Sequence, residues 1–158
     1  MQTIYFYSAA DPYGEFSNFA AYGFYLDDKY WRTAEHYFQA QKFHDAKLRE
    51  KIRRTPSPLK AAIIGRDRGN PLRRDWESVK DEVMYVAVSA KFRHTSELAD
   101  MLLDTGDARL VEHTGKDRYW GDGGDGSGLN RLGQILMRVR TELRKERENP
   151  PGNSSQAG

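Results

Sequence analysis

Cysteine is absent from the 158 residues. That excludes disulfides and thiolate catalysis, and it suits a reducing compartment. Long apolar runs are lacking too. Nothing approaches the roughly 20 residues that span a bilayer, and the first residues carry no basic-then-apolar leader. The expectation is a cytoplasmic protein with no membrane contact. Charge is close to balanced, with 25 Lys and Arg against 23 Asp and Glu, a net +2. So mild a bias does not by itself imply nucleic-acid binding. The four histidines, His36, His44, His94 and His113, are scattered and offer no third ligand at zinc spacing. Asp122 and Asp125 lie among glycines without the D-x-D-x-D-G pattern of a calcium loop. Neither a G-x-S-x-G elbow nor a G-x-x-x-x-G-K-[ST] phosphate loop occurs. The expectation is no metal and no cofactor.

What is present suits one hydrophilic globular domain, 38% hydrophobic and 30% charged. Residues 2–8 alternate as a short strand. Residues 24–26 and 29–31 read as a strand pair hinged at Asp27-Asp28. Helices follow: one from about 34 to 54, one opened by Ser57-Pro58 and closed by Gly65, and one capped by Asp75. That third helix would bury Trp76, Val79, Val83, Ala87 and Ala90. A fourth spans about 96–104. Residues 109–114 alternate weakly and could return a strand to the N-terminal sheet. A last helix begins near Asn130 and buries Leu132, Ile135, Leu136, Val139 and Leu143. The expected class is α+β, predominantly helical around a small antiparallel sheet. The domain is expected over 1–146, with 147–158 as a disordered tail rich in Pro, Gly, Ser and Asn.

The first helix carries the strongest chemical signal. Thr33 is a plausible cap, and Glu35, Phe38, Gln39, Lys42 and Phe43 share one face. Charges interleaved with phenylalanines suit the wall of a polar pocket, although an amphipathic helix with Glu35 complementing the dipole explains the spacing as well. The helix N-terminus favours an ionised Glu35. Such a group would act as a base, a nucleophile or a cation stabiliser. The stretch from Asp117 to Gly128 is too glycine-rich for regular structure. Its backbone N–H groups, with Arg118, Arg131 and the Arg66, Arg68, Arg73, Arg74 group, could hold a phosphate. An ordered surface loop beside a solvated basic patch is the plainer alternative.

The ordered set Tyr7-Ser8, Tyr13-Gly14-Glu15-Phe16-Ser17-Asn18-Phe19, the run Trp31 to Phe43, Gly65-Arg66, Arg74-Asp75-Trp76, Lys91-Phe92, Thr105-Gly106, Leu110-Val111-Glu112, Asp117-Arg118-Tyr119-Trp120-Gly121 and Gly128-Leu129-Asn130-Arg131-Leu132-Gly133 closely resembles the NADAR family, and within it the bacterial N-glycosidases. The resemblance implies a metal-independent hydrolase of the C1–N bond of a ribosylated nitrogen. One implied substrate class is the phosphoribosylated aminopyrimidine intermediates of riboflavin synthesis. The other is ADP-ribose on guanine, including guanine in DNA. It also implies that Glu35, Trp76 and Asp117 matter for activity. The catalytic candidates are Glu35, Lys42 and Asp117. Candidate substrate contacts are Ser8, Phe16, Asn18, Trp31, Gln39, Arg66, Trp76, Tyr119, Trp120, Gly121 and Asn130. Glycosidic cleavage builds positive charge on the ribose, which a carboxylate stabilises. Asp117 could protonate the departing nitrogen or anchor a ribose hydroxyl. A desolvated Lys42 could instead attack C1 and form a Schiff base. A module that binds ADP-ribose without cleaving it is the reading from another class.

Overall fold

A computed structural model describes residues 2–150 of the protein. In chain order the elements are β1 (Thr3–Phe6), a 3-10 turn (Gly14–Phe16), β2 (Phe24–Leu26), β3 (Lys29–Trp31), α1 (Ala34–Ala40), α2 (Ala46–Arg54), α3 (Pro58–Arg66), α4 (Trp76–His94), α5 (Ser96–Asp104), β4 (Arg109–Glu112) and α6 (Arg131–Glu148). The class is α+β, as expected. The strands fall into two separate ladders. Among the described residues only the β2–β3 hairpin is antiparallel, whereas β4 returns alongside β1 in parallel, Ile4 opposite Leu110 and Phe6 opposite Glu112. The hairpin turns through Asp27 and Asp28, both at positive φ, as a two-residue hairpin loop requires.

The single helix expected over 34–54 is two helices. Thr33 caps the first, its hydroxyl accepting the His36 N–H at 3.2 Å. Asp45 caps the second, accepting the N–H groups of Lys47 and Leu48 at 2.9 and 3.4 Å. An Asp side chain that competes for backbone donors is what interrupts the helical run. The break frees α1 from the surface. All seven of its residues are buried, while α2 buries only Ile52. Two apolar clusters meet across α1: Phe38 belongs to the one built on Phe16, Phe92, Leu110 and Leu136, and Ala34, Tyr37 and Ala40 to the one built on Phe24, Trp31, Phe43 and Ile52.

α3 opens as expected, with Ser57 capping Lys60 N–H and Pro58 in the first turn. Gly65 lies in its last turn rather than beyond it, because α3 lies so close to α1 that a Cβ there would stand 2.0 Å from the Gln39 Oε1. Asp75 does not cap α4 through its side chain. Its carboxylate is taken by the Arg73 guanidinium at 2.6 and 2.9 Å. Of the stripe expected of α4 only Trp76 and Ala87 are fully buried, with Val79, Val83 and Ala90 half-buried, and Met84, Val88, Lys91 and Phe92 are buried instead, because α4 packs on α1, α5 and α6 together. α6 buries the stripe expected of it and continues to Glu148; residues 151–158 of the expected tail lie outside the described residues. Among the described residues no helix is long and apolar enough to cross a membrane.

Candidate active site

A cavity of about 810 Å³ opens where the start of α1, the faces of α3 and α4, the loop after β1 and the segment after β4 converge. Of the candidate site residues, Glu35, Lys42, Asp117, Ser8, Asn18, Gln39, Arg66, Trp76 and Trp120 line it. The buried α1 supplies Glu35 and Gln39 from one face, and Lys42 follows just beyond its end. Glu35 is only 6% exposed, and the Gln39 amide donates to its Oε1 at 2.7 Å. The Glu35 N–H donates to the Asn18 carbonyl at 3.1 Å, tying α1 to the loop that carries Asn18. Asn18 Oδ1 and Gln39 Oε1 have no partner among the described residues.

The electrostatics correct the expectation of a Glu35 held ionised by the helix end. Burial pushes its carboxyl up, against the Gln39 hydrogen bond and the charges of Arg66 and Lys42, while Asp117 pushes the same way as burial. The dipole of a seven-residue helix is weak beside the loss of water around a buried carboxylate. Burial likewise lowers the Lys42 ammonium, with Glu35 opposing the shift. Lys42 Nζ lies 3.4 Å from the Gly65 carbonyl, and 5.8 and 6.0 Å from the ring centres of Phe38 and Trp76.

The aromatic wall is built on Phe38. Trp76 and Trp120 both meet it edge-to-face, at 5.1 and 5.3 Å between ring centres. Asp117 is fixed by an Asx turn, its Oδ1 accepting the N–H groups of Tyr119 and Trp120 at 2.9 and 2.8 Å. One of its two oxygens is thereby committed to the backbone.

Five candidates stand away from the cavity. Phe16 is core, packed between Phe6 and Phe92. Trp31 belongs to the hairpin cluster, its indole donating to the Leu26 carbonyl at 2.9 Å. Tyr119 turns its hydroxyl to Asp81 and its ring under Lys80, 4.0 Å from the ring centre. Gly121 lies against the Glu112 carbonyl, where a Cβ would come within 2.9 Å. Asn130, at positive φ, bridges β4 by donating to the Leu110 carbonyl and accepting the Glu112 N–H. The glycine loop is an internally bonded cap. Its N–H groups at Gly123, Gly128, Leu129 and Asn130, with those of Arg131 and Leu132 at the start of α6, are directed to carbonyls between Asp117 and Asp122. The donors that a phosphate would need there are already used.

Further charged groups line the cavity beyond the expected trio and Arg66: the carboxyl of Glu112 and the ammonium groups of Lys80 and Lys116, with Thr114 as a neutral neighbour. Phe38 and Met84 also line it. Periodicity carries part of this signal, since Trp76, Lys80 and Met84 repeat every fourth residue of α4. Glu112 ends a strand two residues after the buried Leu110, hence on the same face. Burial pushes the Glu112 carboxyl up to about 8, helped by the charges of Asp117, Glu35 and Asp122. Among the described residues no three His, Asp or Glu side chains converge as a metal site.

A NADAR domain is matched over residues 5–144. The chain is 58% identical to N-glycosidase YbiA of Escherichia coli over 144 residues, covering 91% of this chain and 90% of that one. It is 47% identical to N-glycosidase Npun_R5314 of Nostoc punctiforme over 145 residues, 90% of this chain and 93% of that one. Identity is 44% to riboflavin biosynthesis protein VVA0006 of Vibrio vulnificus, across 91% of this chain and 39% of that longer protein. The NMR structure of Escherichia coli YbiA superposes with a TM-score of 0.88 at 57% identity, over 94% of this chain and 88% of that one. By family match, sequence identity and fold, the chain belongs to the NADAR family.

Proposed function

We propose that the protein is an N-glycosidase that hydrolyses the C1–N bond of a phosphoribosylated aminopyrimidine intermediate of riboflavin synthesis, releasing the base and ribose 5-phosphate. The observation that carries this reading is the buried Glu35 carboxyl at the wall of an aromatic-lined cavity, beside Lys42 and Arg66. The names borne by the Escherichia coli and Vibrio vulnificus relatives support both the reaction and the substrate class. Cytoplasmic location is part of the same reading.

The chemistry follows from the side chains. A base whose proton affinity lies nearer neutrality removes a proton from water more effectively than an ordinary carboxylate. Glu35 fills that role, and its charge also opposes the cation that develops on the ribose. Asp117, with Oδ1 pinned, turns its second oxygen to a ribose hydroxyl. Trp76 and Trp120 flank the flat base. Arg66, Lys80 and Lys116 supply charge for phosphate. Ser8, Asn18 and Gln39 complete the polar wall. Lys42, partly desolvated, is the group for a Schiff-base route in which it attacks C1 first. Borohydride added during turnover separates the routes: a covalent adduct at Lys42 marks the lysine route, and its absence marks direct hydrolysis.

The test is release of ribose 5-phosphate from the ribosylated aminopyrimidine phosphate by the purified protein. No release, with tight binding of ADP-ribose retained, would leave a binding module in place of an enzyme. A second substrate reading, removal of ADP-ribose from guanine in DNA, is favoured by the exposed Arg68 and Arg74 in the loop beside the cavity. Strong salt dependence on a DNA substrate, abolished by reversing those two charges, supports it.

A further inference from the structure

We propose that Glu112 is the general acid of this site, delivering its proton to the nitrogen as the C1–N bond breaks. The assignment rests on the N-glycosidase reading and extends it to a residue outside the catalytic candidates Glu35, Lys42 and Asp117. Three carboxyl groups reach the cavity, and their surroundings divide the work. Asp117 serves two backbone N–H groups as an acceptor, which holds it in place as an anchor of the loop. Burial raises the Glu35 carboxyl too, but there the Gln39 amide and the charges of Arg66 and Lys42 work against the rise. Glu112 has no such opposition. Burial raises its carboxyl, the charged groups that act on it are Asp117 and Asp122 from the loop after β4 and Glu35 from α1, all acidic, and among the described residues no hydrogen bond or cation offsets them. Its protonated form is thereby favoured at neutral pH. A carboxyl with a hydrogen-bond donor and cations beside it, and another with only acids beside it, are the pattern of a base and an acid.

Its placement is rigid. The Glu112 N–H donates to Asn130 Oδ1 at 3.0 Å, and its carbonyl accepts the Asp122 N–H at 2.9 Å. Pairing of β4 with β1 sets it opposite Phe6. The side chain thus leaves a backbone held on both sides and faces the cavity. As the C1–N bond breaks, its electron pair moves to nitrogen, which takes the Glu112 proton. The water oxygen bonds to C1, and its surplus proton passes to Glu35. Proton exchange with solvent returns Glu112 to its acid and Glu35 to its carboxylate. In the Lys42 route the same proton is needed at the same nitrogen.

The experiment compares wild type with Glu112→Gln on two substrates. One is the ribosylated aminopyrimidine phosphate, whose nitrogen needs a proton to depart. The other is para-nitrophenyl riboside 5-phosphate, whose phenolate does not. The variant is expected to lose roughly 100- to 1,000-fold in kcat on the first and to stay within about threefold on the second. Wild-type rates on both substrates would overturn the role of Glu112 alone. Equal losses on both in a folded variant would also overturn it, since a proton donor is selective for the poor leaving group. A wild-type protein inert on both would remove the N-glycosidase reading and this role with it. If Glu112→Gln does not fold, the wild-type pH profiles decide. An alkaline limb near pH 8 on the nitrogen-linked substrate only supports the assignment, and the same profile on both overturns it.

Discussion

Gly65→Ala tests how packing and chemistry are coupled in this fold. A Cβ at that position would meet Gln39 Oε1 at 2.0 Å, Cδ at 2.7 Å and Cβ at 2.9 Å. The Gln39 side chain could rotate its amide away, but its Cβ is fixed by a helix that is buried throughout. Overpacking of this kind costs about 1–3 kcal/mol. Alanine recovers roughly 1 kcal/mol of helix propensity. The net loss is on the order of 1 kcal/mol, a fall in Tm of about 2–4 °C for a chain of this size. The effect on activity is larger. Gln39 can no longer donate to Glu35, and hydrogen bonds to a charged partner contribute about 1.5–3 kcal/mol. kcat/KM is therefore expected to fall roughly 10- to 100-fold. The Gln39 bond lowers the proton affinity of Glu35, so losing it moves the acid limb of the rate profile to higher pH. Calorimetry and pH-rate profiles of Gly65→Ala, Gln39→Ala and the double variant make the test. The double variant is expected to regain stability relative to Gly65→Ala but not activity. Full activity with an unmoved acid limb, in a Gly65→Ala protein whose Tm has fallen, would refute the coupling.

Lys91 is fully buried in the core, donating to the Ser17 carbonyl at 2.9 Å, and burial pulls its ammonium from 10.5 down to about 7. Between those pH values the unfolded chain binds a proton that the native state does not, so this group makes stability rise with pH, by up to about 5 kcal/mol. Chemical denaturation of wild type and Lys91→Met across that window should show the difference between them climbing with pH, and a constant difference would contradict it. Asp122→Ala removes the acceptor of Thr114 N–H, Gly124 N–H and His113. Stability is expected to fall by about 2–4 kcal/mol, with activity lost because Thr114, Lys116 and Asp117 lie on the freed segment. Retained activity at wild-type Tm would mean that the glycine loop holds its shape without Asp122.

Local rules make much of this fold legible in the sequence. Thr33, Ser57-Pro58 and the apolar stripe of α6 each combine a short-range signal with a regular period, and each falls where the sequence places it. Asp45 is also a readable cap, but the apolar run through Phe43 favours one continuous helix; burial of α1 on every side is a tertiary outcome that no single periodicity reports. The same burial reverses the expectation for Glu35, because desolvation depends on what covers a helix and not on its own sequence. For the site, aromatic and charged residues on one face of α1 mark the cavity wall. Phe16 and Trp31 share that aromatic character yet serve the core, and Tyr119, Gly121 and Asn130 shape the loop from behind. Glu112 carries a weaker signal, its place two residues after the buried Leu110 on a four-residue strand, which does not tell a functional carboxyl from a solvated strand end. Its character comes from burial, helped by Asp117, Glu35 and Asp122, which only the folded chain brings around it.

The measurement that bears most directly on the account is a paired assay of wild type and Glu35→Gln. One substrate is the ribosylated aminopyrimidine phosphate, the other a DNA oligonucleotide carrying ADP-ribosyl-guanine. Wild type is expected to release ribose 5-phosphate from the first, and Glu35→Gln of unchanged Tm to release none. Release of ADP-ribose from the second alone would keep the reaction and replace the substrate. Turnover by Glu35→Gln at the wild-type rate would contradict the central claim that this buried carboxyl drives cleavage.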